Sequence, residues 1–261
     1  MKSIVMSVGA VAVTLPGFAN AAAWLSQPPQ AGPFSPGAAI LPAAVLRRTT
    51  MQTRAAAEVF AQVLADSGAD PRTIATVFGS AWGETSALLD ILKQMHSDDG
   101  AVSPIRFAGS VHNTAAGLLS IATENHGFTT SIAAGYATVA MALVECAGLL
   151  ATGTPEVIVV FSDIDPPAPL AASFEHCVPV AVAIALHLHD QLDARPCLAQ
   201  LRNLRHGSWD TRSLGAFSAD VSANPCASAL LLASAILRGH SGTVAISADR
   251  EWTVDVARVA K

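Results

Sequence analysis

The order of apolar and polar positions along the chain predicts strands and helices in alternation. Short apolar runs typical of buried strands occur at Ile4–Val8, Thr76–Gly79, Phe128–Ala134, Glu156–Ser162, Val178–His187 and Thr243–Ser247. Longer segments with apolar residues at helical spacing lie between them, at Arg47–Ser67, Thr85–Met95, Asn113–Ala122, Tyr136–Leu150 and Asn224–Leu237. This alternation favours an α/β fold with a mainly parallel sheet.

The composition points to a compact protein with little charge on its surface. Of the 261 residues, 51% are hydrophobic and 13% are charged, whereas about 25% are charged in an average soluble domain. The apolar content excludes a disordered chain. A net charge of −5 argues against a nucleic-acid-binding protein, which needs a clustered basic face. We interpret the shortage of charge as a sign of an extensive interface with a partner.

The most apolar helix is too short to cross a membrane. Its core, Val139–Leu150, covers about a dozen residues and contains Glu145, whereas a spanning helix needs about 20. Because the whole helix from Tyr136 is apolar on nearly every side, we expect it to be buried between layers.

The N-terminus allows two interpretations. Lys2, the apolar run Ile4–Leu15 and the triplet Ala19-Asn20-Ala21 imitate a secretory signal with a small-residue cleavage site. The alternative is a buried first strand at Ile4–Val8 followed by a loop. We favour the strand, and with it a cytoplasmic location.

The segments that could carry chemistry are weak when taken singly. The loop Gly79–Gly83 lacks the lysine of a phosphate-binding loop, and Phe78 stands where a nucleophile elbow needs glycine, so tight backbone packing is the better interpretation. The run 163–165 (Asp-Ile-Asp) follows a buried strand, where α/β sites are usually found, but a solvated loop is equally consistent and is preferred.

Histidines and cysteines give no clear metal site. His187 and His189 fall on one face of a strand, without a cysteine or carboxylate at ligand spacing, so we expect polar residues at a strand end and no bound metal. The cysteines, which we expect to be reduced and mostly buried, are Cys146, Cys177, Cys197 and Cys226.

An ordered series of short motifs carries a resemblance to a known family. The motifs are Val77-Phe78-Gly79-Ser80-Ala81, Ser103-Pro104, Asn113-Thr114-Ala115-Ala116-Gly117, Gly127-Phe128-Thr129-Thr130-Ser131-Ile132 and Glu156–Ser162. In this order the chain resembles the N-terminal half of a β-ketoacyl synthase. The resemblance implies a thiolase-like fold of layered α/β/α type in a single domain, 1–261. Its synthase-like half, 1–165, would be complete and its C-terminal part, 166–261, reduced. Gly79, Ser80, Asn113 and Gly117 would be structural motif residues.

The catalytic residues of a synthase are missing from this pattern. In the family a cysteine at the start of the buried helix acts as nucleophile, but here Tyr136 occupies that place, or Ala133 in an alternative register. A phenol is a poor substitute for a thiolate. Neither histidine motif of the decarboxylation site follows residue 163, and His240-Ser241-Gly242-Thr243 is a poor candidate. The resemblance therefore implies no catalytic residue, no metal and no cofactor.

A synthase-like chain without the catalytic set is similar to a chain-length factor, the inactive partner of a ketosynthase in aryl-polyene and other type II pathways. The partner would be a full-length β-ketoacyl synthase, in a heterodimer or heterotetramer, with acyl carrier protein as an indirect partner. The strand residues Phe128, Thr129, Thr130, Ser131 and Ile132 would pair across the dimer axis. Ile105, Arg106 and Phe107 would reach the partner's acyl tunnel.

Two other functions are open on the sequence alone. The chain could handle acyl thioesters as an enzyme, with Tyr136 or His112 acting in the pocket that corresponds to the active site of a synthase. It could also be a secreted binding protein, if the N-terminal segment is a cleaved leader.

Overall fold

The computed structural model describes residues 4–97, 100–172, 180–190, 196–207 and 217–259. The strands are β1 (Met6–Thr14), β2 (Ala75–Gly79), β3 (Thr129–Ile132), β4 (Glu156–Asp163), β5 (Val182–His189), β6 (Ala199–His206), β7 (Gly242–Ala245) and β8 (Trp252–Arg258). The helices are α1 (Ala21–Ser26), α2 (Ala43–Leu46), α3 (Met51–Ser67), α4 (Thr85–Met95), α5 (Pro104–Ala108), α6 (Thr114–Thr123), α7 (Thr138–Ala151), α8 (Ala168–Ala171), α9 (Ala219–Ser222) and α10 (Ala227–Leu237), with a 3₁₀ turn at Gly135–Ala137 before α7.

The eight described strands form one sheet in the order β3-β2-β4-β5-β1-β6-β8-β7. β3, β2 and β4 run parallel to one another, and the other five pairings are antiparallel. The expectation of a mainly parallel sheet is therefore wrong. A parallel connection needs a crossover of a dozen or more residues, usually a helix; here α4, α5 and α6 connect β2 to β3, and α7 connects β3 to β4.

Helices cover both faces of the sheet, which confirms the layered α/β/α arrangement. Alternate residues of β1 divide between the two cores: Val11 and Val13 face the core of α7 and α10, whereas Ala10 and Ala12 face that of α3 and α6. The small alanine side chains allow α3 to lie close to the sheet.

The N-terminal segment is a central strand of this sheet. β1 lies between β5 and β6 and extends to Thr14, farther than the expected Ile4–Val8. Asn20, part of the leader-like triplet, accepts a hydrogen bond from the Ala23 amide and caps α1. Within the described residues, every helix falls short of the length and apolar character needed to cross a bilayer.

The helix expected from Tyr136 is less deeply buried than its composition suggests. α7 begins at Thr138, and one side of it, including Val139 and Leu143, packs on the sheet. Val144 and Gly148 on the opposite side are exposed. The expectation that it is buried between layers is wrong, because only one of its faces has a neighbouring layer.

Candidate functional site

Among the described strands, β7 lies at one edge of the sheet and β3 at the other. Within this part of the chain, β3 pairs with β2 and has no strand on its outer side. The Thr76 amide donates to the Phe128 carbonyl at 2.8 Å and the Ser80 amide to the Ile132 carbonyl at 3.1 Å. Since successive residues of a strand point their backbone groups to opposite sides, those of Thr129 and Ser131 point away from the sheet. Such an edge is a template for another strand.

Large apolar side chains are exposed at the start of β3, on α6, which packs against β3, and on α5, which shares a cavity with α6. Phe128 precedes β3, Ile121 lies on the adjoining α6, and Ile105 and Phe107 lie on α5, all of them exposed. Exposed apolar residues are ordinary when scattered, but a contiguous group marks an interaction surface.

Two open cavities lie between α5 and its neighbours, and both fall within the size range of ligand pockets. The smaller, about 580 Å³, runs between α2, α5 and α6 and is lined by Ile105, Asn113, Gly117 and Ile121 among others. A side chain at Gly117 would meet no atom within 4 Å. The larger, about 630 Å³, lies between α5, α4 and the start of α3 and is lined by Ile105 and Arg106 among others.

The loop after β2 surrounds a buried carboxylate. Asp163, the last residue of β4, has no exposed surface. The Ser80 hydroxyl donates to Asp163 Oδ1 at 2.6 Å, the Ala81 amide to Oδ2 at 2.9 Å and the Trp82 amide to Oδ1 at 3.1 Å. The Cys226 thiol donates to Oδ2 at 3.2 Å. A loop of this form could cradle an external anion, but here the chain's own carboxylate occupies it.

Asp163 also connects the N-terminal part of the chain to the region of α10. The Asn224 side-chain amide donates to the Asp163 carbonyl at 2.8 Å, and Cys226 caps α10. Burial raises the pKa of the Asp163 carboxyl, and the hydrogen bond from Ser80 is the largest effect that opposes the shift. The preferred interpretation of Asp163 as part of a solvated loop is wrong, whereas Asp165 is exposed. The interpretation of the Ser80 loop as tight packing is consistent with this geometry.

A second buried carboxylate, Glu84, joins the starts of α3 and α4. The Thr53 hydroxyl donates to Glu84 Oε1 at 2.5 Å, and the Thr50 hydroxyl donates to Oε2. Burial raises the pKa of Glu84, opposed first by these two hydrogen bonds. His112 Nε2 donates to the Ser80 carbonyl at 2.7 Å, so this histidine holds the loop in place. Nothing in the local sequence pattern pointed to Glu84 or to Cys226 as members of the site.

The two positions considered for a nucleophile lie at the surface. Tyr136 stands in the 3₁₀ turn before α7 with 61% of its surface exposed, and Ala133 is also exposed. Cys146 lies well inside α7 and is fully buried. Burial raises the pKa of the Cys146 thiol far above its usual range, which makes it a poor nucleophile.

The histidines of β5 lie on one face, as the sequence predicts, and His189 ends the strand. Both rings are buried and stack with their centroids 5.6 Å apart. His187 Nε2 lies 2.8 Å from Glu156 Oε2, and His189 Nδ1 lies 2.8 Å from the Asp190 carbonyl. In the described part of the chain, no three metal-ligating side chains come together. Of the cysteines, Cys146 and Cys226 are buried, Cys197 is half-buried, and Cys177 lies outside the described residues.

The layered α/β/α fold fits a ketosynthase-like protein, and the comparisons with known proteins identify the family. Residues 21–253 match the model of the β-ketoacyl synthase N-terminal domain. Because this match spans most of the chain, the protein belongs to that family. A search of curated protein sequences gave no match.

Solved structures share the thiolase-like ketosynthase fold. A chain from the complex of the ketosynthase ApeO with its chain length factor ApeC, from Xenorhabdus doucetiae, superposes with a TM-score of 0.73 at 20% identity, over 97% of this chain and 99% of that chain. A chain of the ishigamide ketosynthase/chain length factor gives 0.62 at 17% identity, over 88% and 73%. A chain of AntDE:AntF, a type II polyketide acyl-carrier protein in complex with its ketosynthase, gives 0.64 at 14% identity, over 79% and 70%.

Proposed function

We propose that this chain is a non-catalytic, chain-length-factor-like partner of a β-ketoacyl synthase in fatty-acid- or polyene-type biosynthesis, including aryl-polyene pathways. The observation that carries the proposal is the free edge of β3, flanked by exposed apolar side chains. The similarity of the fold to chains from ketosynthase and chain length factor complexes supports it. The site of action is the cytoplasm, where the partner and the acyl carrier protein would be.

Pairing through β3 would join the sheets of the two subunits. The outward backbone groups of Thr129 and Ser131 would bond to the equivalent strand of the synthase, antiparallel across a pseudo-two-fold axis. The same pairing would cover the exposed side chain of Phe128.

Chain length would be set by α5 at the interface. Ile105 and Arg106 line cavities that open at the surface, so the same side chains can form one wall of an acyl tunnel once the partner is bound. Adding a two-carbon unit against a filled wall costs about 1–3 kcal/mol of overpacking, which shifts a product distribution about tenfold.

Condensation would take place in the partner alone. The exposed ring of Tyr136 lacks the desolvated setting that helps to activate a nucleophile. We therefore expect that Tyr136→Cys gives this chain no condensing activity when it is supplied with acyl and malonyl carrier-protein thioesters. Turnover by that variant in the absence of a synthase would overturn the non-catalytic assignment.

The edge pairing is tested by a proline at Ser131. Ser131→Pro removes an outward amide but leaves the hydrogen bonds between β3 and β2 intact, because proline is tolerated on the free side of an edge strand. Ser131→Ala is the matched control, since it removes only the hydroxyl. We expect the proline variant to lose co-purification with the co-expressed full-length synthase and the alanine variant to retain it. Equal recovery of both variants would refute pairing through β3.

The role of α5 is tested by the size of residue 105. With the reconstituted pair, Ile105→Trp should shorten the product and Ile105→Ala should lengthen it, as read by mass spectrometry of carrier-bound chains. An unchanged distribution in both variants, with the complex intact, would remove α5 from the tunnel while leaving the partner role in place.

A further inference from the structure

Helix α5 is held in place by few contacts of its own. All five of its residues are exposed, and Ser103, which precedes it, makes no capping hydrogen bond from its side chain. A helix of five residues is about 7.5 Å long, which is far too short to be stable by itself in water. Its position must therefore be fixed by neighbouring elements.

Open space lies on both sides of α5. Ile105 and Gly109 line the smaller cavity, of about 580 Å³, and also the larger one, of about 630 Å³. Packed protein interiors leave few voids larger than a water molecule, whereas here the helix has room to shift in either direction. Whichever side forms the acyl tunnel in the complex, a shift of α5 changes the length of that side.

A single buried hydroxyl connects the end of α5 to α6. Thr114 begins α6 and is 8% exposed. Its Oγ1 lies 2.7 Å from the Val111 carbonyl oxygen and 3.2 Å from that of Ala108, the last residue of α5. A hydroxyl has one proton to donate, so the two carbonyls share it. In the described part of the chain, the other hydrogen bonds of α5 stay within residues 103–110.

From this geometry we infer that Thr114 is a positioning residue: its hydroxyl holds α5 at one place between the two cavities and so sharpens the length of the chain that the complex makes. The inference rests on the proposed function, because it needs α5 to form a wall of the tunnel. A wall that can shift accepts neighbouring chain lengths. Loss of the hydroxyl should therefore broaden the product distribution, whereas a change in the size of Ile105 should move its mean.

The first test removes the hydroxyl and keeps the shape of the side chain. Thr114→Val replaces the hydroxyl with a methyl group and keeps the branch at Cβ, whereas Thr114→Ser keeps the hydroxyl. Thr123→Val is the matched control, because the Thr123 hydroxyl donates to the Leu119 carbonyl at 2.8 Å at the other end of α6.

The readout is the ratio of the main product to its two-carbon neighbours, measured by mass spectrometry of carrier-bound chains made by the reconstituted pair. We expect this ratio to fall about fivefold in Thr114→Val, the equivalent of one neutral hydrogen bond. Thr114→Ser and Thr123→Val should keep the wild-type ratio.

A second test needs no synthase. Trypsin cleaves after arginine, and Arg106 lies exposed within α5, where cleavage requires local opening of the helix. In the isolated chain we expect cleavage after Arg106 to be about fivefold faster in Thr114→Val than in the wild type, with circular dichroism as the check on folding. Equal cleavage rates would refute the anchoring of α5 by Thr114.

The outcomes separate this inference from the proposed function. If variants at Ile105 move the products but Thr114→Val does not broaden them, the tunnel wall stands and the positioning role is refuted. If Thr123→Val broadens them equally, the effect belongs to α6 as a whole and the inference is wrong. If neither Ile105 nor Thr114 variants alter the products of an intact complex, the inference falls together with the role of α5. If the wild-type chain does not bind the synthase, the inference and the partner role both fall.

Discussion

Replacing Asp163 by alanine should destabilise the protein strongly. The carboxylate has no exposed surface and accepts hydrogen bonds from the Ser80 hydroxyl, the Ala81 and Trp82 amides and the Cys226 thiol. Alanine removes all four acceptor contacts at once and leaves a cavity where β4, the loop after β2 and α10 meet.

The loss of unfolding free energy depends on which acceptors each former donor to Asp163 can still reach. A buried donor left unpaired costs about 1–3 kcal/mol. The Ser80 hydroxyl still accepts hydrogen bonds from the Gln52 side-chain amide and the Gly83 amide, but neither group can accept its proton. The amides of Ala81 and Trp82 are only partly buried, so water can replace the bonds that these two donors lose. We expect the free energy of unfolding to fall by roughly 3–5 kcal/mol, a large share of the roughly 5–15 kcal/mol of a typical domain.

The assay is urea unfolding followed by circular dichroism, with a nearby aspartate as control. Asp165 is exposed two residues away, so Asp165→Ala should leave the midpoint within experimental error. Asp163→Asn should lie between the wild type and Asp163→Ala, because asparagine keeps one oxygen and turns an amide donor toward the loop. Equal midpoints for Asp163→Ala and Asp165→Ala would refute the account of the loop.

The contribution of Asp163 to the free energy of unfolding depends on pH with a defined sign. Burial raises the pKa of Asp163, so the native state takes up this proton at a higher pH than the unfolded chain does. Protonation then relieves the burial of charge, and the contribution of Asp163 to stability increases as pH falls from neutral toward about 4. The difference in unfolding free energy between wild type and Asp163→Ala should widen over that range. A difference that narrows would mean that the native pKa is lowered.

Three further substitutions test separate parts of the account. Gly117→Ala should raise the free energy of unfolding by about 0.5–1 kcal/mol, because its Cβ meets open space. The same methyl group projects into the smaller cavity and should weaken binding of a synthase that inserts a side chain there; unchanged binding would show that the cavity stays empty in the complex. The hydrogen bonds from Arg205 lower the pKa of Asp255 to about 2. Asp255→Asn should therefore lower the free energy of unfolding by about 1 kcal/mol at pH 7 after solvent screening, and it should flatten the loss of stability as pH falls from about 4 to about 2. An unchanged dependence of stability on pH in that range would argue against the ion pair. Gly9→Ala should cost about 1–3 kcal/mol by overpacking, because its Cβ would lie 2.5 Å from His187 Nδ1; a fully stable variant would contradict the packing of the two rings.

Strands and helices with an uninterrupted apolar signature could be predicted from the sequence. β4 (Glu156–Asp163) and α4 (Thr85–Met95) were predicted to within one residue at each end. β6 (Ala199–His206) and β8 (Trp252–Arg258) were not predicted, because strands with one half-exposed face carry charged side chains such as Arg202 at alternate positions. Without these two strands the antiparallel pairing of this half of the sheet was missed, although β1, β5 and β7 were expected as strands.

The buried carboxylates could not be predicted from local sequence. Ser80 and Asp163 are 83 residues apart in the chain, and Cys226 lies a further 63 residues beyond Asp163. Whether an aspartate after a strand is solvated or enclosed depends on these distant donors, and no periodicity reports them. Similarly, the helical pattern of α4 predicts an amphipathic helix, but only the fold shows that its apolar side lies at the surface.

The central claim is that this chain works as the partner of a β-ketoacyl synthase and joins it along the free edge of β3. Co-expression with a full-length synthase, followed by native mass spectrometry, measures this directly. The account predicts a complex with one synthase per copy of this chain, lost on Ser131→Pro and retained on Ser131→Ala. A wild-type chain that stays monomeric in the presence of the folded synthase would contradict it.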